Sequence, residues 1–249
     1  MNITSVNDCQ LLQNDLHALV KWSSIWELNF HPSKCQVITI SRKRSLINFD
    51  YFMNGTKLSA INSIKDLGID ISYKLDWNAH INRVVKKCNK KMGLIMRTVG
   101  FKAPEKITKA LYNALIRSDL EFGSCLWSGT SRHNIKCLEG VQRRATKFIM
   151  HYPDLDYRER LCHLGMLPLT LRREQLDLSL FFKCFVNTYD LDVNKYVKFY
   201  YSEAGQDHPT TRASADSSRL RTPICKTEAF KATFFNRIVS IWIPTSLKR

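Results

Sequence analysis

From residue 77 to residue 99 an apolar side chain recurs at every third or fourth position, at Trp77, Ile81, Val84, Cys88, Met92, Ile95 and Val99. That spacing lays all seven along one face of an α-helix and demands a second apolar surface to cover them. The positions between them include Arg83, Lys86, Lys87, Lys90, Lys91 and Arg97, and no acid. Like charges three or four residues apart on a helix repel by roughly 0.2–0.5 kcal/mol per pair, a cost that ordinary exposed helices avoid by interspersing Glu. A polyanion lying along this face would relieve it.

Charge along the rest of the chain sharpens the point. The net charge of +16 over 249 residues is uneven: residues 1–80 carry 8 basic and 7 acidic side chains, 81–150 carry 15 and 4, and 151–249 carry 15 and 11. A concentrated positive field captures polyanions, whereas charge needed only for solubility is mixed in sign. A solvated Lys/Arg face is the plain alternative, and composition alone leaves both open.

Before residue 77 the pattern is mixed. Residues 6–28 read as a helix, with Ser5 and Asp8 placed as a capping box and a face of Cys9, Leu12, Leu16, Leu19 and Ser23 to Trp26. Proline at position 32 ends it. The β-branched run 35–40 suits a buried strand. Asn54-Gly55 between Phe52-Met53 and Lys57-Leu58 signals a hairpin turn with positive φ at both central residues, and 67–71 reads as a further strand. The fold class expected is α+β: an N-terminal helix with a small antiparallel hairpin sheet over 1–76, a basic helical region over 77–150, and a helical region over 151–249.

Within the later regions, Pro104 opens a helix through Ile107, Leu111, Ala114 and Leu115. Residues 135–149 form another, with Leu138, Val141, Ala145 and Phe148 inward and Arg143, Arg144 and Lys147 outward. The apolar stretch 169–189, with Leu176, Leu180, Phe181, Phe185 and Tyr189 in step, reads as a core helix. Residues 202–223 are polar and aperiodic, as a mobile loop is, and 228–241 form a last helix.

Signatures of common catalysis are missing. The chain has no phosphate-binding glycine loop, no His-Glu-x-x-His and no Gly-x-Ser-x-Gly. Asp154-Leu155-Asp156 and Asp190-Leu191-Asp192 read as turn and cap residues rather than Mg²⁺ ligands, and His80, His151 and His163 as surface or core-edge residues. The eight cysteines never stand as Cys-x-x-Cys, which suits reduced thiols in a cytosolic or nuclear protein. Neither a signal peptide nor a membrane-spanning run is legible. No catalytic residue, metal ligand or cofactor site is expected in the chain.

Several short segments follow one another in a fixed order. They are Leu12-Gln13-Asn14-Asp15-Leu16 with Trp22, Trp26 and Asn29-Phe30 before Lys34-Cys35; Ile64-Lys65-Asp66-Leu67-Gly68; Trp77-Asn78 before His80-Ile81; and Leu111-Tyr112. Further on come Leu120-Glu121-Phe122-Gly123 with Trp127, Leu138-Glu139 before Val141-Gln142-Arg143-Arg144-Ala145-Thr146-Lys147, Leu167-Pro168-Leu169 before Arg172-Arg173, and Phe234-Phe235 before Arg237 and Trp242. Over nearly its whole length the chain resembles the C-terminal part of a non-LTR (LINE-type) retrotransposon reverse transcriptase. The resemblance implies the end of a palm, a primer-grip hairpin carrying Lys65, Leu67 and Gly68, a helical thumb opening at Trp77, and a downstream region.

Such polymerases hold two Mg²⁺ ions on palm carboxylates that include an Asp-Asp pair. This sequence has no Asp-Asp, so the resemblance implies that the metal-binding palm residues precede Met1 and that the chain is inactive alone. The family's closing Trp-Asn-x-Leu-Pro is shortened here to Trp242-Ile243-Pro244, as in a decaying copy. The expected partner is RNA or DNA without sequence preference, held by Arg83, Lys86, Lys87, Lys90, Lys91 and Arg97, with Arg143, Arg144 and Lys147 as a second patch. Two alternatives stay open: an inert element copy, and a co-opted module whose Phe199-Tyr200-Tyr201 and Trp242 dock a protein.

Overall fold

The computed structural model describes residues 2–41, 43, 45–100, 103–151, 154–186, 188–198, 220–221 and 223–242. It is α+β, in two compact units, 1–80 and 81–249. No helix among the described residues is long and apolar enough to cross a membrane.

In the first unit, α1 (Val6–Ile25) starts at the expected capping box: the Ser5 hydroxyl accepts from the Asp8 amide at 3.3 Å, and the Asp8 carboxylate accepts from the Ser5 amide at 2.8 Å. The Thr4 amide and then its hydroxyl bond the same carboxylate and hold Asp8 down at a pKa of about 2. The buried face of α1 runs through Cys9, Gln13 and Ser23, with Leu12, Leu16 and Val20 beside it, whereas Leu19 and Trp26 are exposed. That face is rotated from the one the periodicity suggests, because Gln13 is drawn inward. Its side-chain amide pairs with the backbone of Phe52, 39 residues on, donating to the carbonyl at 2.9 Å and accepting from the amide at 2.8 Å. A glutamine here does what a neighbouring strand would do.

Phe52 opens β2 (Phe52–Met53), which pairs antiparallel with β3 (Thr56–Lys57) around Asn54 and Gly55, both at positive φ as the turn requires. Tyr51, Met53 and Leu58 cover Cys9 to make this unit's small core. Three expectations need correction. Strand β1 (Gln36–Ile38) is half-exposed and pairs in parallel with β4 (Ser59–Ile61), so the sheet is not wholly antiparallel. The β2–β3 hairpin serves as the crossover that a parallel pair needs. Leu67 and Gly68 are not in a strand; they form the two-residue turn between β5 (Ser63–Asp66) and β6 (Ile69–Ser72). His80 is fully buried rather than at the core edge, and its Nδ1 accepts from the Asp70 amide at 3.3 Å.

Helix α2 (Asn78–Val99) leads into the second unit, where Ile81, Val84, Cys88, Met92 and Ile95 are buried as its period requires. Burial, and then the charge of Asp119, pushes the Cys88 thiol up to about 12, so it is a packing residue and not a nucleophile. The next segment is α3 (Glu105–Tyr112), five π-helical residues Asn113–Arg117, and α4 (Ser118–Glu121). Its buried stripe is Thr108, Tyr112, Ile116 and Leu120, one position on from Ile107, Leu111 and Leu115. The wider π turn carries Ile116 and Leu120 onto one face with Tyr112.

After α5 (Ser124–Trp127), helix α6 (Arg132–Met150) buries Leu138, Val141, Ala145 and Phe148 as expected. It packs on α7 (Tyr157–His163) and α8 (Leu169–Phe185). A chain of polar side chains binds these helices: the Tyr112 hydroxyl donates to Gln142 at 2.8 Å, Gln142 donates to the Tyr157 hydroxyl at 3.0 Å, and Tyr157 donates to Glu139. Glu139 also accepts from the Leu169 amide at 3.2 Å. Burial, reinforced by the bond to Glu139, raises the Tyr157 phenol above its ordinary value.

Only Phe181 of the stripe expected in α8 is fully buried, while Phe185 and Tyr189 are exposed. The buried line is Leu169, Arg173, Asp177, Phe181 and Cys184, two of them charged. Phe181 and Cys184 meet Val193, Val197, Leu220 and Ile238 in a second core. The last helix breaks into α9 (Glu228–Lys231) and α10 (Phe234–Ile241). Most of the expected loop 202–223 lies outside the described residues; Leu220, at its end, is buried. The aspartates at 156 and 192 cap α7 and a 3-10 turn, as their spacing suggests.

Candidate nucleic-acid interface

The cationic face of α2 divides in two. At 100° per residue Arg83, Lys86, Lys90 and Arg97 fall within about 60° of one another, and Lys87 and Lys91 lie to one side. Lys87 and Lys91 both reach Asp119 of α4, at 3.0 and 2.7 Å. The acid that α2 lacks in its own sequence is thus supplied by a helix about thirty residues on. Burial alone would raise the Asp119 carboxyl, but hydrogen bonds and charge from Lys91 and Lys87 outweigh it and hold the group below its ordinary value. Lys86, Lys90 and Arg97 are exposed and have no acidic partner among the described residues. They are the part of the face left available to a polyanion, with half-buried Arg83 at its edge.

A depressed carboxylate stabilises the fold above its unfolded pKa, near 4, and that contribution fades as pH falls through the lower folded value. Asp119→Asn is therefore expected to cost on the order of 1.5 kcal/mol at pH 7, the lower end for hydrogen bonds to a charged group. Thermal melts of the two proteins should converge as pH drops below about 4. A gap that stayed constant down to pH 3 would contradict this assignment.

The three basic residues of α6 do not form one patch. Arg144 turns toward α2 and donates to Asn89 at 2.6 Å, which adds its charge to that surface. Arg143, one residue and about 100° away, lies on the opposite flank with its guanidinium 4.4 Å over the Tyr157 ring. Lys147 is exposed and belongs to neither contact. In the first unit, Lys65 is exposed on β5 opposite Asp70, and Leu67 forms the hairpin tip at φ +44°, 87% exposed. An L-residue other than Asn or Asp seldom adopts this conformation, and the turn with Gly68 imposes it.

Several segments that carry the family resemblance meet in the second unit. Glu121 takes both hydrogen bonds of the Arg172 fork at 3.0 and 3.1 Å. Arg173 is buried with its guanidinium 5.6 Å from the Trp127 ring. Arg237 donates to Asp177 at 2.7 Å and to the carbonyls of Ala232 and Cys125 at 2.6 and 3.2 Å. Burial pushes Asp177 above the usual carboxylate range against the pull of Arg237. These groups tie α4, α5, α8 and α10 together.

Comparison with family models, curated proteins and solved structures finds no match.

The site must therefore be judged on its chemistry. Among the described residues no three His, Cys, Asp or Glu side chains gather in a way that could hold a metal ion. What the second unit offers is a row of cations on one helix, Lys86, Lys90 and Arg97, without acidic partners among the described residues, and Arg144 bonded to Asn89 beside it. The sequence could not reveal that Lys87 and Lys91 are already paired, because Asp119 is distant in the chain and carries no local signal. Of the aromatics expected to dock a protein, Trp242 packs edge-on against buried Phe181 at 5.3 Å, and Phe199-Tyr200-Tyr201 lie outside the described residues.

Proposed function

We propose that this chain is a nucleic-acid-holding segment of a non-LTR-type reverse transcriptase, without polymerase activity of its own. The observation that carries the reading is the row Lys86, Lys90 and Arg97, exposed and lacking acidic partners among the described residues. Arg144 beside Asn89 widens it. A row of cations on one helix face matches a row of phosphates, which gives affinity for RNA or DNA without reading bases. In this reading residues 1–76 are the end of a palm, with β5–β6 as its primer-grip hairpin, and α2 opens the thumb. The location would be nuclear or cytoplasmic. Such a polymerase holds its two Mg²⁺ ions on palm carboxylates that include an Asp-Asp pair, and the sequence has no Asp-Asp.

Lys86→Glu with Lys90→Glu reverses the available row and leaves the Asp119 bridges intact. Binding of a fluorescent RNA–DNA primer-template is expected to weaken by roughly 10- to 100-fold at moderate salt, with thermal stability unchanged. Equal binding by the two proteins would overturn the reading.

The second reading, a protein-docking module, is favoured by α1, where Trp22, Ile25 and Trp26 are 48%, 77% and 64% exposed. Apolar side chains this large are enriched at interface cores. On that reading Trp22→Ala with Trp26→Ala abolishes capture of a protein partner, while the α2 variant captures it normally.

A further inference from the structure

A cleft of about 680 Å³ opens in the second unit between α6, α7 and the start of α8, on the flank of α6 away from the contact of Arg144 with α2. Its volume lies within the range of small-ligand sites. Ile135, Leu161 and Pro168 supply apolar wall, and Lys136, Arg143 and Arg158 supply three cations. Lys136 and Arg158 are exposed and pair with no acid among the described residues. Among the described residues Glu139 is the single carboxylate in the lining, and it is already engaged by the Tyr157 hydroxyl and the Leu169 amide. The cleft thus has an apolar wall and an excess of positive charge.

We propose that this cleft takes one unpaired nucleotide of a single strand, with its base against the apolar wall and the Arg143–Tyr157 pair and its phosphate on Lys136 and Arg158. The inference rests on the nucleic-acid reading and adds a second, separate subsite to it. Three features favour a nucleotide. A base is flat and largely apolar on its faces, and proteins that bind single strands seat bases on aromatic rings and on guanidinium planes. Arg143 is held over the Tyr157 ring at 4.4 Å, so its guanidinium is positioned before any ligand arrives. An acidic peptide would satisfy the cations but bring little to cover Ile135, Leu161 and Pro168, whereas a nucleotide matches charge and wall together. Bases stacked and paired inside a duplex cannot enter a cleft, so the subsite selects single-stranded positions.

The test uses the full chain, a blunt duplex, and the same duplex with a five-nucleotide single-stranded overhang. In the wild type the overhang is expected to tighten binding by about tenfold, the gain from seating one base. Lys136→Glu with Arg158→Glu, both exposed positions, should remove that gain and keep blunt-duplex affinity within about threefold. Lys86→Glu with Lys90→Glu should do the reverse, weakening both duplexes and preserving their ratio. A gain that is absent in the wild type, or that survives in the cleft variant, overturns the proposal.

A direct arm makes the proposal testable even if duplexes do not bind. Adenosine monophosphate added to the protein should shift the methyl resonances of Ile135 and Leu161 in the wild type and not in the cleft variant. No shift, or displacement of the overhang by a polyglutamate peptide but not by the nucleotide, contradicts a nucleotide site. Loss of duplex binding with the methyl shifts intact would instead count against the α2 reading alone.

Discussion

Asp177→Ala is expected to lower the stability of the second unit by about 3–5 kcal/mol, the cost of leaving a buried charge without its partner. Asp177 is 1% exposed and takes a charge-assisted bond from Arg237 at 2.7 Å, with Arg173 buried in the same line of α8. Without the carboxylate, two guanidinium groups share a site from which water is largely excluded. For a unit of this size that loss corresponds to a fall in Tm of roughly 6–20 °C. Asp177→Leu combined with Arg237→Met should recover much of it, because replacing a whole buried pair by apolar groups is far milder than breaking it. Thermal and urea melts of the single and double variants test this. A fall of under 1 kcal/mol for Asp177→Ala would contradict the role given to the pair.

Gly129→Ala should have the next largest effect, about 2–3 kcal/mol, as overpacking against backbone. A Cβ on Gly129 would stand 2.3 Å from the carbonyl oxygen of Ala232 and 2.6 Å from its Cβ. No side-chain rotation can relieve contact with a carbonyl oxygen, so the turn between α9 and α10 must move. That same oxygen accepts from Arg237 at 2.6 Å, so the displacement reaches the buried pair. The costs of Gly129→Ala and Asp177→Ala are therefore expected not to add, since residues sharing a partner couple. Strict additivity in melts of the double variant would show that the turn moves without disturbing Arg237.

Neither feature was legible in the sequence, and the reason is common to both. Arg173 and Asp177 carry charges that a periodicity reading sends outward, and a glycine held by close approach, not by turn geometry, leaves no local signal. Elements set by neighbouring residues were legible: the stripe of α2, the Ser5–Asp8 cap, the Asn54-Gly55 hairpin and the inward face of α6. Those set by distant partners were not. Gln13 faces inward to complete β2, β1 pairs in parallel with β4, and the buried stripe of α3 lies one position on from the apolar run, with five π-helical residues keeping Ile116 and Leu120 in line with Tyr112. At the turn between β5 and β6, Leu67 adopts positive φ although its residue type predicts strand.

The candidate interface divides the same way. That α2 bears a row of cations follows from the spacing of Lys86, Lys90 and Arg97. That Lys87 and Lys91 are already held by Asp119, and that Arg143 and Arg144 serve different surfaces, follows only from the packing.

The most direct test of the central claim is the salt dependence of primer-template binding by the wild-type chain. If the α2 row and Arg144 engage phosphates, log K should fall linearly with log salt, with a slope of roughly −3 to −5. No binding at low salt by the folded protein, or binding indifferent to salt, would contradict it.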